Sequence, residues 1–276
     1  MKSLRDRVVV ITGAAGGIGS AFARDLATAG MDVVLADLDV EGMEQVAADV
    51  RARGRRCAVV RTDVSRSEEL EALLTRTLAV FGACHVLINN AGVLSASPLL
   101  EATPAQWKRV VDVNLWGVLN GSRIFGRHFV ERGEGHLVNV ASAGGIFPTP
   151  GMTLYSTTKF AVVGFTQQLR WELADKGVGV TLVIPGLVPS NLFSHPQSGL
   201  AHVDFRAIMR VAGSAEALAQ RVRKGITQNR AVVRYGREPW LFGALRLIPQ
   251  SLLDPLAKRF TRSALGRLRK PPAGEH

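Results

Sequence analysis

Short runs of β-branched residues alternate with longer helical stretches along most of this sequence, and that alternation limits the possible folds more than any other feature. The runs predict strands over about residues 7–12, 31–37, 56–63, 85–92, 135–142, 177–186 and 230–236. The stretches between them predict helices over about 17–30, 40–54, 65–81, 104–130, 153–176 and 214–228. Apolar strands joined by crossover helices are typical of a parallel sheet that is covered on both faces. We therefore expect an α/β fold with one doubly wound parallel sheet, whose ligand lies at the carboxyl ends of the strands.

Residues that cap helices support these boundaries. Ser65 or Ser67 is expected to cap the helix that runs to Phe81, and Thr103 with Pro104 suits the start of the long helix. Asp39 suits the cap of the second helix. The cysteines Cys57 and Cys84 fall at the third and fourth strands, on opposite halves of a doubly wound sheet, and are expected to be free, buried thiols.

The composition excludes several classes of protein. Hydrophobic residues make up 47% and charged residues 21%, as in an ordinary globular domain rather than a disordered chain. No window holds 18 consecutive apolar residues and no signal-peptide core follows Met1, so the expected location is cytoplasmic. The six histidines show no paired metal spacing, and there is no C-x-x-C, so no metal site is expected.

The basic charge lies in the last quarter of the chain. Residues 201–276 hold 15 Lys and Arg against 5 Asp and Glu, whereas residues 1–200 hold 19 against 18. We expect a dinucleotide-binding catalytic domain over 1–236, with a loop-rich segment at 187–213 next to the site, and a basic, apolar helical extension over 237–276. Such an asymmetry suggests an anionic partner, and a solvated helical face explains it equally well.

A glycine-rich loop follows the first strand. In "TGAAGGIG", Thr12, Gly13, Gly17, Ile18 and Gly19 lead into a helix. The absence of Cβ atoms lets backbone N–H groups and a helix N-terminus approach a pyrophosphate. This position between a strand and a helix favours dinucleotide binding over a plain tight turn.

The end of the second strand favours NAD over NADP. Asp37 can accept hydrogen bonds from the adenosine ribose and would repel a 2′-phosphate. Leu38 and Gly16 offer no cation for that phosphate. The alternative, that Asp37 only caps the next helix, suits Asp39 better.

A tyrosine and a lysine share one face of the helix that starts near 153. Tyr155 and Lys159 are four residues apart in "YSTTK", and Ser142 follows the fifth strand at the sheet edge where ligands bind. Because a free phenol has a pKa near ~10, a nearby ammonium and an oxidised nicotinamide would be needed to favour tyrosinate.

Taken in order, these motifs resemble those of the short-chain dehydrogenase/reductase family, over about residues 5–235. The resemblance rests on "TGAAGGIG", "LADLD", "TDV", "NNAG", "VNLWG", Ser142, "YSTTK" and "PGLV". It implies a Rossmann-type fold and an NAD(P)-dependent alcohol dehydrogenase or carbonyl reductase. Relatives commonly form dimers or tetramers through the helices near 104–130 and 153–176, so a homodimer or homotetramer is implied.

The resemblance also implies roles for individual residues. Tyr155 is the expected general acid/base, Ser142 the residue that holds the substrate oxygen, and Lys159 the residue that binds the nicotinamide ribose and lowers the Tyr155 pKa. Asn114 is expected to position a water that relays protons to Lys159. The remaining expected cofactor contacts are with adenine, ribose and phosphate (Asp63, Val64, Asn89, Ala91 and Gly92) and with the nicotinamide (Pro185, Gly186, Val188 and Ser190). Ser190 stands where the family often has threonine.

The expected substrate is a hydrophobic alcohol or ketone. No arginine is obviously aimed into the expected substrate site. The candidate lining residues are all apolar: Leu94, Ile146, Phe147, Leu187, Leu192 and Phe193. Steroid-like, retinoid-like or long-chain alcohols fit this lining, as do small hydrophobic alcohols. His195 and His202 are expected to be solvent-exposed, and Trp107 and Trp116 to pack in the core or in a dimer.

Two other functions remain open at this point. The first is a silent NAD-binding regulatory protein, which would not need all of Asn114, Ser142, Tyr155 and Lys159. The second is a nucleic-acid binder, which would need aromatic residues interleaved with the cations of the tail.

The tail itself divides at Pro239 and Pro249 into expected helices over about 239–248 and 251–268, with a stripe of Leu252, Leu256 and Phe260. It could cover the substrate entrance, pack on another subunit, or contact an anionic membrane.

Overall fold

In the computed structural model, described for residues 1, 3–97, 99–149, 151–189, 192, 198 and 212–268, the strands form one seven-stranded parallel sheet in the order β3-β2-β1-β4-β5-β6-β7. The strands are β1 (Val8–Thr12), β2 (Asp32–Asp37), β3 (Cys57–Arg61), β4 (Val86–Asn89), β5 (Gly135–Val140), β6 (Val178–Pro185) and β7 (Val232–Tyr235). The order reverses between β1 and β4, as in a doubly wound sheet. The predicted fold class is confirmed.

Helices cover both faces of the sheet. They are α1 (Gly17–Thr28), α2 (Val40–Ala52), α3 (Ser67–Phe81), α4 (Pro104–Val111), α5 (Gly117–Arg132), α6 (Thr153–Glu172), α7 (Ala215–Thr227), α8 (Glu238–Leu245) and α9 (Gln250–Leu268). Short 3-10 turns occupy Leu99–Glu101 and Ala143–Gly145. None of these described helices is long and apolar enough to cross a bilayer.

The alternation of side chains along each strand divides the core between the two faces. In β1, Val9 and Ile11 pack in one cluster, with residues of α1, α2 and α7. Val8 and Val10 pack in the other cluster, with residues of α3 and α5. Because all of β1 is buried on both sides, its sequence is continuously apolar instead of alternating.

The helix predicted from Pro104 to about residue 130 is interrupted. Thr103 and Gln106 form the expected capping box at the start of α4. The chain then passes through a π-helical turn, Asp112–Trp116, in which the amide of Gly117 donates to the carbonyl of Asp112. This turn separates α4 from α5, and π turns of this kind often occur at functional sites.

Two local predictions are wrong. Neither Ser65 nor Ser67 caps α3: Arg66 occupies the N-cap without a side-chain hydrogen bond, and the Ser65 hydroxyl donates to Asp63 Oδ1 at 2.7 Å instead. Both cysteines are free, as expected, but Cys57 is only half-buried on the edge strand β3, whereas Cys84 is fully buried just before β4.

The described part of the extension after Gly236 adds no strand to the sheet. α8 and α9 both follow β7, the last strand, and begin at Glu238 and Gln250, one residue earlier than expected. Trp116 is half exposed in the π turn, so it is not a core residue, and Trp107 is half-buried on α4. The predicted tail residues beyond 268 lie outside the described residues, as do the side chains of Leu256 and Phe260.

Candidate active site

The glycine-rich loop makes a cradle at the carboxyl end of β1. Gly13 has φ +65°, and a Cβ there would lie 2.7 Å from the backbone of Ala91. A Cβ on Gly19 would collide with the carbonyl of Gly13. α1 starts at Gly17 with Gly16 at its N-cap and no capping side chain, so its first N–H groups face the cradle without a protein side chain. Such a cradle and helix terminus fit a pyrophosphate.

Asn90 fastens this loop to the end of β4. Its side-chain amide donates to the carbonyls of Thr12 and Gly13, both at 3.0 Å. In return, the Thr12 hydroxyl accepts from the backbone amides of Asn90 and Ala91. The sequence prediction missed Asn90; the only signal was its place in "NNAG", where either asparagine could have been chosen.

Asn89 was expected to line the ribose and phosphate side, but its side chain is committed elsewhere. It is 3% exposed, and its amide donates to Asn139 Oδ1 at 2.9 Å and to Ser122 Oγ at 3.2 Å. Since successive residues at a strand end point to opposite sides, Asn89 faces α5 while Asn90 faces the cradle. The side chain of Asn89 therefore stabilises the floor of the site and is not aimed at a cofactor.

Asp37 is the last residue of β2, and backbone amides hold its carboxylate in place. Its Oδ2 accepts from the amide of Ala15 at 3.0 Å, and its Oδ1 accepts from the amides of Leu38 and Asp39. A carboxylate has about four lone pairs, so Oδ2 keeps one for a ribose hydroxyl. Asp39 caps α2 through the amide of Gly42, as predicted.

A groove of about 550 Å³ runs past Asp37 along the sheet edge. One wall holds the predicted adenine contacts Asp63 and Val64, and its floor holds Gly13, Ala91 and Gly92. The opposite wall is formed by α4 and the π turn, which bring Lys108 and Arg109 to the groove. Lys108 pairs with Asp112, while Arg109 is half-buried and has no ion pair among the described residues. No local pattern indicated these two cations, because their place at the groove depends on how α4 packs in the folded protein.

Asn114 is fixed by the π turn and is completely buried. Its Oδ1 accepts from the amide of Val93 at 2.8 Å, and its Nδ2 donates to the carbonyl of Val93 at 2.9 Å. Nδ2 also reaches the Thr158 hydroxyl at 3.3 Å. Asn114 thus joins the loop after β4 to α6, one residue before Lys159.

Lys159 is 4% exposed, and its ammonium donates to the carbonyl of Val140 at 3.0 Å. A Cβ on Gly92 would lie 3.7 Å from Nζ, so the ammonium borders the same loop. Burial lowers the pKa of Lys159 to about 8. A Cβ on Gly145 would come within 2.6 Å of the Lys159 carbonyl, so the turn after β5 packs tightly on α6.

Tyr155 and Ser142 lie together at the carboxyl end of β5. Burial raises the pKa of the Tyr155 phenol, and its hydrogen bond with the Ser142 hydroxyl acts in the opposite direction. Lys159 Nζ lies 5.7 Å from the centre of the Tyr155 ring. The expectation that Lys159 lowers the Tyr155 pKa stays a prediction for the protein with bound cofactor, because burial of the phenol raises that pKa here.

An apolar wall adjoins the Tyr155 ring. Leu94 and Ala96 are buried against it, with Met152 and Leu192 packed alongside. Of the other predicted lining residues, Ile146 is buried in the cluster beneath α6, and Phe147 meets Phe242 of α8 with ring centres 5.3 Å apart. Phe193, His195 and His202 lie outside the described residues.

The strand β6 ends at the predicted nicotinamide contacts. Gly186 donates to the carbonyl of Tyr235 at 2.7 Å, and Val188 is buried in the core. A side chain at Gly186 would collide with the carboxylate of Glu238, which reaches over the end of the strand from α8. Pro185 is the last residue of β6, while Ser190 lies outside the described residues.

The sequence profile of the short chain dehydrogenase family matches residues 7–199. The chain belongs to this family. It is similar to the probable oxidoreductase EphD of Mycobacterium tuberculosis, at 34% identity over 90% of this chain but only 44% of EphD, so it spans less than half the length of that relative. It is also similar to 3beta-hydroxysteroid dehydrogenase 2 of Eggerthella lenta, at 34% identity over 68% of this chain and 74% of the relative.

The solved structures agree with this family. A short-chain dehydrogenase/reductase from Burkholderia phymatum in complex with NAD superposes with a TM-score of 0.80, at 30% identity, over 100% of this chain and 99% of the other. Solved members of the family hold either NAD or NADP. The profile match and the solved structures therefore agree that the chain belongs to the short-chain dehydrogenase/reductase family.

Proposed function

We propose that this protein interconverts a secondary alcohol and a ketone, or an alcohol and an aldehyde, on a hydrophobic substrate, with Tyr155 as the general acid/base. The observation that carries the proposal is the position of the Tyr155 phenol: it lies close enough to the Ser142 hydroxyl to interact with it, and the apolar wall of Leu94, Ala96 and Met152 borders its ring. An apolar surface beside one polar pair favours a lipophilic molecule with a single reacting oxygen.

A nicotinamide dinucleotide, when bound, would accept or supply the hydride. The glycine cradle, the amides at the start of α1 and the Asp37 carboxylate would hold its phosphates and adenosine ribose. The residues of the chain then have to move one proton. A neutral Tyr155, which burial favours, can donate to the oxygen of a ketone as negative charge develops there, and the Ser142 hydroxyl can steady the same oxygen.

Lys159, with a water held by Asn114, would then return a proton to Tyr155. The Lys159 pKa of about 8 leaves the group able to exchange a proton near neutral pH. Oδ1 of Asn114 accepts one hydrogen bond from Val93, which leaves a lone pair for a water between the loop and Lys159. The role of Asn114 in positioning a water is part of the proposal.

We also propose that NAD is preferred to NADP. Asp37 would repel a 2′-phosphate, and its neighbour Leu38 supplies no positive charge. Among the described residues that line the groove, Lys108 and Arg109 supply the positive charge that would favour NADP, and Lys108 is already paired with Asp112. The replacement Asp37→Ala should narrow the preference for NAD, measured as the ratio of Kd values for NADH and NADPH. An unchanged ratio would show that Asp37 does not discriminate.

The substrate class rests on the apolar wall and on one relative that is named as a hydroxysteroid dehydrogenase. The direct test is a panel of steroid, retinoid and long-chain alcohols and ketones, set beside small charged hydroxy acids, with NAD and NADP. Turnover of the charged acids alone would contradict the proposal. A regulator without activity is the weaker alternative, because Asn114, Ser142, Tyr155 and Lys159 are all present and brought together.

Tyr155→Phe separates the two alternatives. The variant keeps the ring in its apolar contacts but removes the proton donor, so turnover should fall by about 10²–10⁴-fold while the Kd for NADH changes little. Ser156→Ala, a neighbouring hydroxyl on the same helix, serves as the control. Unchanged turnover in Tyr155→Phe would refute the assigned role.

Two further proposals concern the rest of the chain. We place the boundary of the catalytic domain at residue 236, although Phe242 and Glu238 of α8 still contact the site loops. We also propose a homodimer or homotetramer that packs α5 and α6 across the interface, where Trp171 of α6 is 72% exposed. Sedimentation of Trp171→Glu should show a smaller assembly than the unaltered protein.

A further inference from the structure

The C-terminal arm, defined as residues 238–262 of α8 and α9 with the turn between them, exposes large apolar side chains. Trp240 is 63% exposed, Leu247 86% and Leu252 64%. Leu241 at 57% and Ile248 at 40% adjoin them in sequence. Isolated apolar residues on a surface are ordinary, but a run of five in one short segment marks an interaction site.

α8 is anchored, so the outward direction of these side chains is fixed. Phe242 packs in the cluster beneath α6 and against the Phe147 ring, and Pro239 is buried. Arg234 lies over the Trp240 ring, 5.4 Å from its centre. Because Phe242 holds one side of α8 on the protein, Trp240 and Leu241 remain on the side that faces away from it.

The apolar residues are bordered by positive charge. The cations of this region are Arg234, Arg237, Arg246, Lys258, Arg259 and Arg262, against the two acids Glu238 and Asp254. Arg246, Lys258 and Arg259 are exposed. The surface therefore has the chemistry of an amphipathic interfacial segment, with aromatic and aliphatic residues next to basic ones.

The charge and the apolar residues together decide between three kinds of partner. In a symmetric dimer formed through the arm, each copy would place its cations against the same cations of the other, and juxtaposed like charges are unfavourable. A nucleic acid matches the charge, but it gives no burial to aliphatic side chains such as Leu247 and Leu252. An anionic lipid surface accommodates both, since it has acyl chains beneath negative headgroups.

We propose that the C-terminal arm docks the protein on the surface of an anionic lipid bilayer. Trp240, Leu247 and Leu252 enter the boundary between headgroups and acyl chains, while Arg246, Lys258 and Arg259 contact the headgroups. No helix needs to span the bilayer. Docking would bring the site loops near the membrane, because Phe242 links α8 directly to Phe147. The proposal goes beyond the proposed function, and its test measures no turnover.

The test is co-sedimentation of the full-length protein with vesicles of phosphatidylcholine, with and without phosphatidylserine. Binding should appear with phosphatidylserine and weaken as salt is raised. Reversing three charges, R246E with K258E and R259E, should lower the partition coefficient at least about a hundredfold, because each basic residue near anionic lipid contributes about fivefold. Leu247→Glu should lower it about tenfold or more, because an apolar contact with the acyl region is lost.

The matched controls lie elsewhere on the surface. Lys176→Glu removes an exposed cation beyond α6, and Val80→Ser removes an exposed apolar side chain from α3; neither should change vesicle binding. Unaltered far-ultraviolet circular dichroism in each variant ensures that lost binding is not lost folding.

Four results would overturn the proposal. The first is that the protein fails to sediment with either kind of vesicle. The second is that it binds equally with and without phosphatidylserine. The third is that Leu247→Glu changes the assembly state in sedimentation velocity while vesicle binding is absent, which would make the arm an interface between copies. Retention on DNA that Leu247→Glu leaves intact, without vesicle binding, would likewise contradict it.

Discussion

The groove at the carboxyl ends of the strands buries polar side chains, whereas the C-terminal arm exposes apolar ones. Asn114 and Lys159 are 0% and 4% exposed, and Trp240 and Leu247 are 63% and 86% exposed. Each region departs from the usual distribution of residues in a globular protein, in opposite directions. The groove is therefore organised to bind a ligand that enters the protein, and the arm to contact a surface outside it.

Lys159→Met should have the largest effect, because it removes the buried charge from the site. Turnover should fall by at least about 10²-fold, because the proton relay is lost. Stability near neutral pH should rise by about 1–3 kcal/mol, because a buried ammonium without an ion pair gives way to an apolar chain of similar length. Calorimetry and steady-state rates measure the two effects, and a variant that loses both activity and stability would show that Lys159 is structural.

The pH dependence of that gain provides its control. The Lys159 pKa is about 8 in the folded protein, against 10.5 for a lysine side chain in water. Between these values the unfolded chain binds more protons, so the stability of the native protein rises with pH relative to the methionine variant. The stability advantage of Lys159→Met should therefore shrink above pH 8.

The next largest expected effect is a loss of stability in acid, caused by two buried histidines that are neutral in the folded protein. Burial lowers the pKa of His136 to about 3, from 6.5, and that of His85 to about 4. Because the unfolded state takes up the protons first, stability falls as pH drops below 6.5 and continues to fall towards those values. At about pH 4, His136 alone should cost about 3 kcal/mol.

His136→Gln isolates this effect. The loss of stability between neutral pH and about pH 4 should be smaller in the variant, measured by urea unfolding, even though the variant starts less stable. The variant lacks the hydrogen bond from His136 Nε2 to the Thr181 hydroxyl at both pH values, so this loss cancels when the two free energies of unfolding are subtracted. Equal losses in the two proteins would contradict the assignment.

Asn90→Ala tests the fastening of the glycine-rich loop. It removes the two hydrogen bonds to the carbonyls of Thr12 and Gly13. NADH should bind about tenfold more weakly, while the kcat at saturating cofactor changes less, because the role of Asn90 is to position the cradle. Fluorescence titration measures the Kd. Asn120→Ala, on α5, is the matched control and should leave the Kd unchanged.

The arm should give the smallest effect on stability. Trp240→Ser and Leu247→Ser should change the free energy of unfolding by less than about 0.5 kcal/mol, because the side chains are exposed. Thermal denaturation without lipid measures this. A loss of several kcal/mol would mean that the arm packs against the protein, and the contrast between the two regions would then fail.

Local pattern was enough to predict the sheet, because continuous runs such as 8–12 and 32–37 are both apolar and bounded by turn residues. The motif residues Ser142, Tyr155 and Lys159 do meet at one edge. Three features depended on information that local pattern does not contain. The first is that Asn90, and not Asn89, faces the cradle, because the motif alone does not show to which side of the sheet each asparagine points. The π turn at Asp112–Trp116 depends on a hydrogen-bond offset, and the raised pKa of Tyr155 depends on burial.

The π-helical turn at Asp112–Trp116 makes the site depend on the number of residues as well as on their identity. A π turn accommodates one residue more than the α-helical turn it replaces. Deleting a single residue there would let α4 and α5 merge into one regular helix, and Asn114 would rotate by about 100° about its axis. The other sequence motifs would be unchanged in such a chain, yet the Asn114 side-chain amide, which joins Val93 to α6, would point in another direction. Among relatives, a one-residue gap in this helix therefore carries more functional information than many substitutions.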